Sequence, residues 1–464
     1  MIVVFGARGD LAKRKLLPGL YRLLAAGMLP ERFAIIGSGR HAPDSDDAFR
    51  DDVRAALEEF VDEDIDENTW STLRERLRFV ASSADDGGDL ARAVEEAEGH
   101  LGDGARRLLY LSVPPSAMQD MVGMLGDSGL AERARVVMEK PFGSDLASAR
   151  ELNEIVHDVL DEDHVFRIDH FLGKEATQNI LAFRFANGLF EPAWNRDHIA
   201  YVQIDVPEDL GLEGRASFYE ETGAFRDMVV THLMQLLGFV AMEPPVRLDA
   251  HSLRNEKAKV FDATEPFDPS QAVYGQFAGY RDEDDVDADS TVETFVALRV
   301  HVDTWRWAGV PFVLRTGKAM KAGAQTITVG FREPPLRMFD PSEEVVDHPN
   351  EVCFDLTSDG AITVDLRAKV PGPELELGLS SLGLEHGAGR DGDKLEAYER
   401  LLLDVMHGDH TLFTRADEIE RLWELAQPLL DDPPETQEYE QGSWGPQDAL
   451  DLTGAAGWRV SRGD

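Results

Sequence analysis

The chain has 464 residues, 43% hydrophobic and 29% charged, which marks a globular protein too long for one compact core and sets two domains as the expectation. Its 88 acidic residues against 46 basic ones leave a net charge of -42, an excess that repels nucleic acid and anionic membranes. No apolar run reaches the roughly 18 residues that span a bilayer. Met1 leads straight into apolar Ile2–Phe5 with no secretory leader, and the single cysteine, Cys353, excludes an internal disulfide, so a cytoplasmic protein is expected. The acid lies in runs such as Asp282-Glu283-Asp284-Asp285, a pattern resembling surfaces adapted to high salt, where self-repulsion is screened.

Ile2–Phe5 reads as a short buried strand. Gly6-Ala7-Arg8-Gly9 follows, and Leu16, Leu20, Leu23 and Leu24 then recur with helical spacing. Strand, glycine turn and helix is the order that seats a pyrophosphate on a helix N-terminus, although Gly-x-x-Gly is shorter than the three-glycine fingerprint. A second strand is expected over 33–36, ending in Gly37-Ser38-Gly39-Arg40-His41. NAD sites place an acid there for the ribose 2′-hydroxyl. Arg40 suits the 2′-phosphate of NADP instead, with Arg8 adding charge; a plain surface arginine is the alternative. Residues 46–60 read as an acidic helix. Residues 108–113 and 136–138 read as buried strands, the first stopped by Pro114-Pro115. The second ends in Glu139-Lys140-Pro141-Phe142-Gly143, at a strand's carboxyl end, where open α/β sheets bind ligands. Lys140-Pro141 is a candidate cis peptide. A helix over 144–159 closes a domain placed at residues 1–166.

Residues 167–175 open the second region, 167–464. They pack Asp169, His170 and Lys174 into one turn before the helical run Ile180, Leu181, Phe183, Phe185. The expected picture is a helix start with His170 and Lys174 four apart on one side, an anion site by charge and dipole. An ordinary solvated helix start is the alternative. Beyond this point the βα alternation stops. Residues 199–206, 291–302, 326–331 and 361–370 alternate like strands, which implies a large, mainly antiparallel sheet with helices against it. An apolar outer face on such a sheet makes a natural oligomer interface. Residues 225–237 have the spacing of a buried helix carrying His232, with Asp227 close by. A core histidine is commonly structural; beside a carboxylate and a nicotinamide it serves as a general base. Residues 309–318 read as a strand ending in Gly317 and Lys318, residues 396–430 as helix-rich, and residues 442–446 as a turn plugged by Trp444. Lysines are few, and Lys13, Lys15, Lys140, Lys174 and Lys318 all fall in these stretches, which points to an anionic ligand. The sequence offers no metal-ligand cluster, hydrolase triad or internal repeat.

Seven stretches in this order and spacing carry a family resemblance: GARGDLAKRKLLPGLY (6–21), GSGRHA (37–42), EKPFG (139–143), RIDHFLGKE (167–175), FRDMVVTHLMQ (225–235), GVPFVLRTGK (309–318) and GSWGP (442–446). Jointly they make the chain resemble the glucose-6-phosphate dehydrogenase family over nearly its whole length, RIDHFLGKE being the most diagnostic. The resemblance implies an α/β NADP-binding Rossmann domain followed by a larger α+β domain, and a homodimer or homotetramer formed through the large sheet. It implies oxidation of glucose 6-phosphate with NADP, without a metal. By resemblance, His232 is the base and Asp169 supports its imidazole. His170 and Lys174 hold the 6-phosphate. Lys15, Lys140, Glu208, Asp227 and Lys318 contact the sugar, and Gly6, Gly9, Arg40 and Lys140 contact the coenzyme.

Four departures bear on affinity and substrate choice rather than on fold. Phe171 stands where the family usually has a tyrosine. Residues 215–219 replace a more glycine-rich stretch. Thr231 precedes the base where an amide is common. A basic residue expected after Lys318 falls near Gly323, with Lys321 an approximate substitute. Two other readings remain: a related oxidoreductase acting on another sugar or sugar phosphate, and a non-catalytic coenzyme-binding paralogue. Intact Asp169, His232 and Lys140 argue against the second.

Overall fold

The computed structural model describes all residues except 103, 337, 340–347, 358–359, 385–394 and 463–464. One sheet holds strands β1 (Ile2–Phe5), β2 (Ile35–Gly39), β3 (Leu77–Ala81), β4 (Arg107–Leu111), β5 (Ala134–Met138) and β6 (Val165–Ile168). They run parallel in the order β6-β5-β4-β1-β2-β3. This is the doubly wound dinucleotide-binding order, with its switch point beside β1. Every residue of β1 and β4 is buried, as helices on both faces of a parallel sheet require. The expected acidic helix is Asp46–Phe60, capped by Ser45 Oγ on Ala48 N–H at 3.1 Å. Strand β2 starts at Ile35 and runs on to Gly39 through its pairing with β3, rather than spanning the expected 33–36, and its small residues let that helix pack close. A Cβ on Gly37 would lie 2.5 Å from the Phe49 ring.

The second sheet contains β7 (Ile199–Pro207), β8 (Ala272–Phe277), β9 (Phe295–Val300), β10 (Phe312–Gly317), β11 (Thr326–Phe331), β12 (Glu351–Asp355), β13 (Ile362–Lys369) and β14 (Leu377–Leu384). Strand β15 (Phe413–Thr414) instead returns to the first sheet, antiparallel to β6, while β16 (Thr436–Tyr439) closes the second beside β8. The second order is β14-β13-β12-β11-β7-β10-β9-β8-β16. It is antiparallel except at β7·β10 and β8·β16.

Strand β7 was expected to be buried on one face, but its polar residues Gln203 and Asp205 are buried as well. The reason is tertiary. Asp205 takes two hydrogen bonds from Arg315, at 2.8 and 2.6 Å, and the Arg315 guanidinium lies 4.3 Å over the Trp458 ring and 5.4 Å over the Trp444 ring. Gln203 donates to Gly457 O and accepts from Arg459 N–H. The C-terminal tail thus covers the polar face of the sheet's centre. Toward the outer strands, Leu366, Leu379, Leu382 and Leu384 stay exposed. A long helical segment through Ala241 packs against β9, β10 and helix Ala416–Asp431. Among the described residues no helix is long and apolar enough to cross a membrane.

Candidate active site

Asp169 is the first residue past β6, at the carboxyl edge of the parallel sheet. Its Oδ1 accepts Phe171 N–H at 2.9 Å, closing a side-chain turn that diverts the chain from a helical path. The following helix therefore starts only at Glu175, with Lys174 as its extended N-cap. His170 and Lys174 lie in the turn, not four apart on one helix side as expected. They face different partners: His170 meets the His232 ring edge-on at 4.8 Å, whereas the Lys174 ammonium bonds Gln325 Oε1 and approaches Leu356 O at 3.4 Å.

His232 comes from the helix opposite. Its Nδ1 donates to Asp169 Oδ1 at 2.6 Å, and both residues are buried. The Phe171 ring stacks on the imidazole at 4.6 Å, and Lys174 Nζ sits 4.5 Å over the other ring, Phe171. His232 Nε2 is buried without a hydrogen-bond partner among the described residues. Burial pushes the Asp169 carboxyl up, but His232, His170 and the Phe171 N–H together hold it below the ordinary value. Burial, aided by His232, Lys140 and Lys174, pushes His170 down to about 3, so its ring is neutral.

Lys140 follows β5, and its peptide to Pro141 is cis, as expected. Its ammonium donates to Asp227 Oδ1 at 2.7 Å and Asp227 O at 3.1 Å. Burial would raise Asp227, but Lys140 outweighs it and the carboxyl falls to about 2. On the large sheet, the parallel register pairs Pro207 with Gly317. Glu208 and Lys318 are the next residues on each strand, so the register itself brings their side chains into a hydrogen bond. The Tyr219 ring lies 5.8 Å from the Lys318 ammonium. Thr231, one of the departures, turns its hydroxyl back to Asp227 O at 2.7 Å.

The remaining expected residues lie further out. Lys15, on a π-helical turn after the glycine loop, is half-exposed and faces Glu396 at 3.5 Å. Arg8 pairs with Asp52 at 3.0 Å on the surface, and Arg40 is exposed just past β2. Gly6 has φ 67°, and a Cβ there would sit 1.9 Å from Ser112 O. Only glycine permits this approach of the loop to β4, and Gly9 N–H closes the loop on Gly6 O at 2.8 Å. A backbone cradle at a switch point fits a dinucleotide.

Sequence reasoning missed several groups. Glu139, partly buried, accepts the Tyr110 hydroxyl at 2.5 Å, and desolvation pushes its carboxyl up to about 7. Tyr398 also reaches Glu139 and lies parallel to His170 at 6.3 Å. Glu139 had a signal, its place in EKPFG; Tyr398 sat in a stretch read only as helix-rich, and Gln325 carried no motif. Asp169, His170 and His232 bring ligand atoms within 4.8 Å of one another. The positive charge of Lys140 and Lys174 that reaches His170 opposes a metal cation there.

A dinucleotide-type sheet whose carboxyl edge meets a buried histidine–aspartate pair ringed by lysines defines a nicotinamide-dependent dehydrogenase. Residues 3–179 match the family model for the glucose-6-phosphate dehydrogenase NAD binding domain, and residues 181–459 match that for its C-terminal domain. The chain belongs to the glucose-6-phosphate dehydrogenase family. It is 40% identical to glucose-6-phosphate 1-dehydrogenase 2 of Mycobacterium tuberculosis (strain ATCC 25618 / H37Rv), over 99% of this chain and 94% of the relative. It is 42% identical to glucose-6-phosphate 1-dehydrogenase of Mycolicibacterium smegmatis, over 97% and 95%. Its fold is similar to the crystal structure of glucose-6-phosphate 1-dehydrogenase from Mycobacterium avium (TM-score 0.87, 38% identity, 99% and 98% covered). It is also similar to a glucose-6-phosphate dehydrogenase in complex with its substrate glucose-6-phosphate (TM-score 0.90, 34% identity, 98% and 97% covered).

Proposed function

We propose that the chain oxidises glucose 6-phosphate to 6-phosphogluconolactone with NADP as acceptor, in the cytoplasm, as a homodimer or homotetramer. The observation that carries this reading is the buried His232–Asp169 pair, whose Nε2 has no hydrogen-bond partner among the described residues and is free to take a proton. His232 Nε2 takes the proton of the anomeric hydroxyl. Asp169, bonded to Nδ1, fixes the ring's tautomer and stabilises the imidazolium that forms. Proton removal of this kind contributes about 10²–10⁴-fold.

The dianionic phosphate is held by Lys174 and His170, and Lys140, Asp227, Glu208 and Lys318 bind and orient the sugar hydroxyls, with Lys15 at the rim. Orientation by such groups supplies much of the remaining acceleration. NADP, when bound, supplies the hydride acceptor. Gly6 and Gly9 are the residues that would hold its pyrophosphate, Arg40 with Arg8 its 2′-phosphate, and Lys140 its nicotinamide end. The exposed leucines of β13 and β14 support association through the large sheet.

His232→Asn tests the base. Turnover falls by about 10²–10⁴-fold while coenzyme affinity, read by fluorescence titration, stays within a factor of two or so. An active variant overturns the assignment.

A further inference from the structure

The site uses Asp227 and His232 together, yet they stand five residues apart. In an α-helix that spacing separates side chains by about 140° around the axis. Phe225–Leu233 instead winds as a π-helix, and its i→i+5 bonding brings residues five apart onto one face. Lys140, which holds Asp227, lines the same cavity as His232 and Asp169. A π-register is rare and persists where surrounding structure enforces it.

The start of this segment is anchored by Glu293, just ahead of β9. Its carboxylate Oε1 accepts Phe225 N–H at 2.9 Å, and its backbone carbonyl accepts Ala224 N–H at 2.9 Å. The residue before, Gly223, has φ 63° and ψ 174°, and a Cβ there would lie 2.3 Å from Glu293 Oε1. The glycine both kinks the chain and admits the carboxylate. The next residue, Thr294, reaches the other half of the sugar site. Its carbonyl accepts Lys318 N–H at 2.9 Å, and its hydroxyl lies 3.0 Å from the Tyr439 hydroxyl, which donates to Lys318 O at 2.6 Å. Glu293 and Thr294 thus tie the start of the His232 helix to the backbone of Lys318. Glu293 is 7% exposed. Burial pushes its carboxyl up to about 7, against the Phe225 N–H and Arg226. In either protonation state one oxygen remains to accept the Phe225 N–H, so the acceptor matters more than the charge.

We propose that Glu293 is a positioning residue, whose buried side chain anchors the start of the π-helical segment carrying Asp227 and His232 and so holds both at a set distance from Lys318. This rests on the functional reading above.

Three variants separate acceptor, charge and volume. Glu293→Gln keeps shape and an acceptor oxygen, Glu293→Asp keeps charge but withdraws the oxygen by one methylene, and Glu293→Met keeps volume without an acceptor. All are assayed beside wild type with glucose 6-phosphate and NADP. Misplacement of about 1 Å costs up to 10²-fold. Glu293→Asp and Glu293→Met should therefore lose about tenfold or more in kcat/KM for the sugar phosphate, with coenzyme Kd unchanged, and Glu293→Gln should stay within about threefold. Wild-type kinetics in all three overturn the inference, and so does a loss in Glu293→Gln as deep as in Glu293→Asp. If Glu293→Met does not fold, the Asp–Gln comparison still decides. An inactive wild type removes the functional reading instead.

Discussion

Asp169→Asn isolates the charge behind the base. The carboxylate holds His232 Nδ1 at 2.6 Å, and both groups are buried. The amide has nearly the same shape and retains an oxygen for the Phe171 N–H, so the turn before Glu175 survives. What disappears is the anion facing an imidazole that becomes positive as it takes the proton. A hydrogen bond to a charged partner is worth about 1.5–3 kcal/mol net. At 1.36 kcal/mol per decade this corresponds to roughly ten- to hundred-fold in kcat. Because that interaction strengthens only as the proton moves, KM for both ligands stays within about twofold. Initial rates of nicotinamide reduction under saturating ligand, alongside a thermal unfolding scan, measure both. Unchanged kcat refutes the role given to Asp169; an altered coenzyme KM with kcat intact does so as well.

Asp227 sits at about 2 in the fold, below its ordinary 3.8, so its contribution is present above pH 4 or so and is lost as pH falls through about 2. The urea-unfolding gap between wild type and Asp227→Asn should narrow by about 2 kcal/mol from about pH 5 to about pH 2, and a constant gap contradicts this. His170 is held neutral, near 3, in the free protein. A phosphate dianion beside it favours the charged ring, so binding of glucose 6-phosphate at about pH 7, where the phosphate is already mostly dianionic, takes up protons. Calorimetry in two buffers of different ionisation enthalpy reads that uptake; its absence removes His170 from the phosphate site. Phe171→Tyr adds one donor beside Lys174 and should lower KM for the sugar phosphate by roughly tenfold, the scale of one bond to a charged group. A raised KM would mean the hydroxyl cannot be accommodated against His232.

In the first sheet β1, β2, β4 and β5 were legible because parallel strands buried on both faces read as short apolar runs, and Gly6 to Gly9 marks the switch point; β3, only partly buried, and β6, whose end falls in the stretch 167–175 read as a turn, were not. In the large sheet β7, β9, β11 and β13 were legible from period-two alternation and β10 from the run ending in Gly317, whereas β8, β12, β14 and β16 were not read from the sequence. Strand β15 was not: two residues carry no period, and only pairing with β6 defines them. Nor was the burial of Asp205, which depends on Arg315 and on tail tryptophans far along the chain. The apolar spacing of 225–237 looks the same in α- and π-register, so the shared face of Asp227 and His232 was invisible. The separate directions of His170 and Lys174 were hidden too, because the Asp169 side-chain turn that creates them leaves no periodic trace. Tyr398 and Gln325 reach the site through tertiary packing alone.

The most direct measurement is absorbance at the reduced-nicotinamide band, with glucose 6-phosphate or free glucose, each with NADP or NAD. The lysines, His170 and Arg40 together predict reduction with glucose 6-phosphate and NADP and little with free glucose. Reduction with free glucose alone, or none under any pairing, contradicts the account.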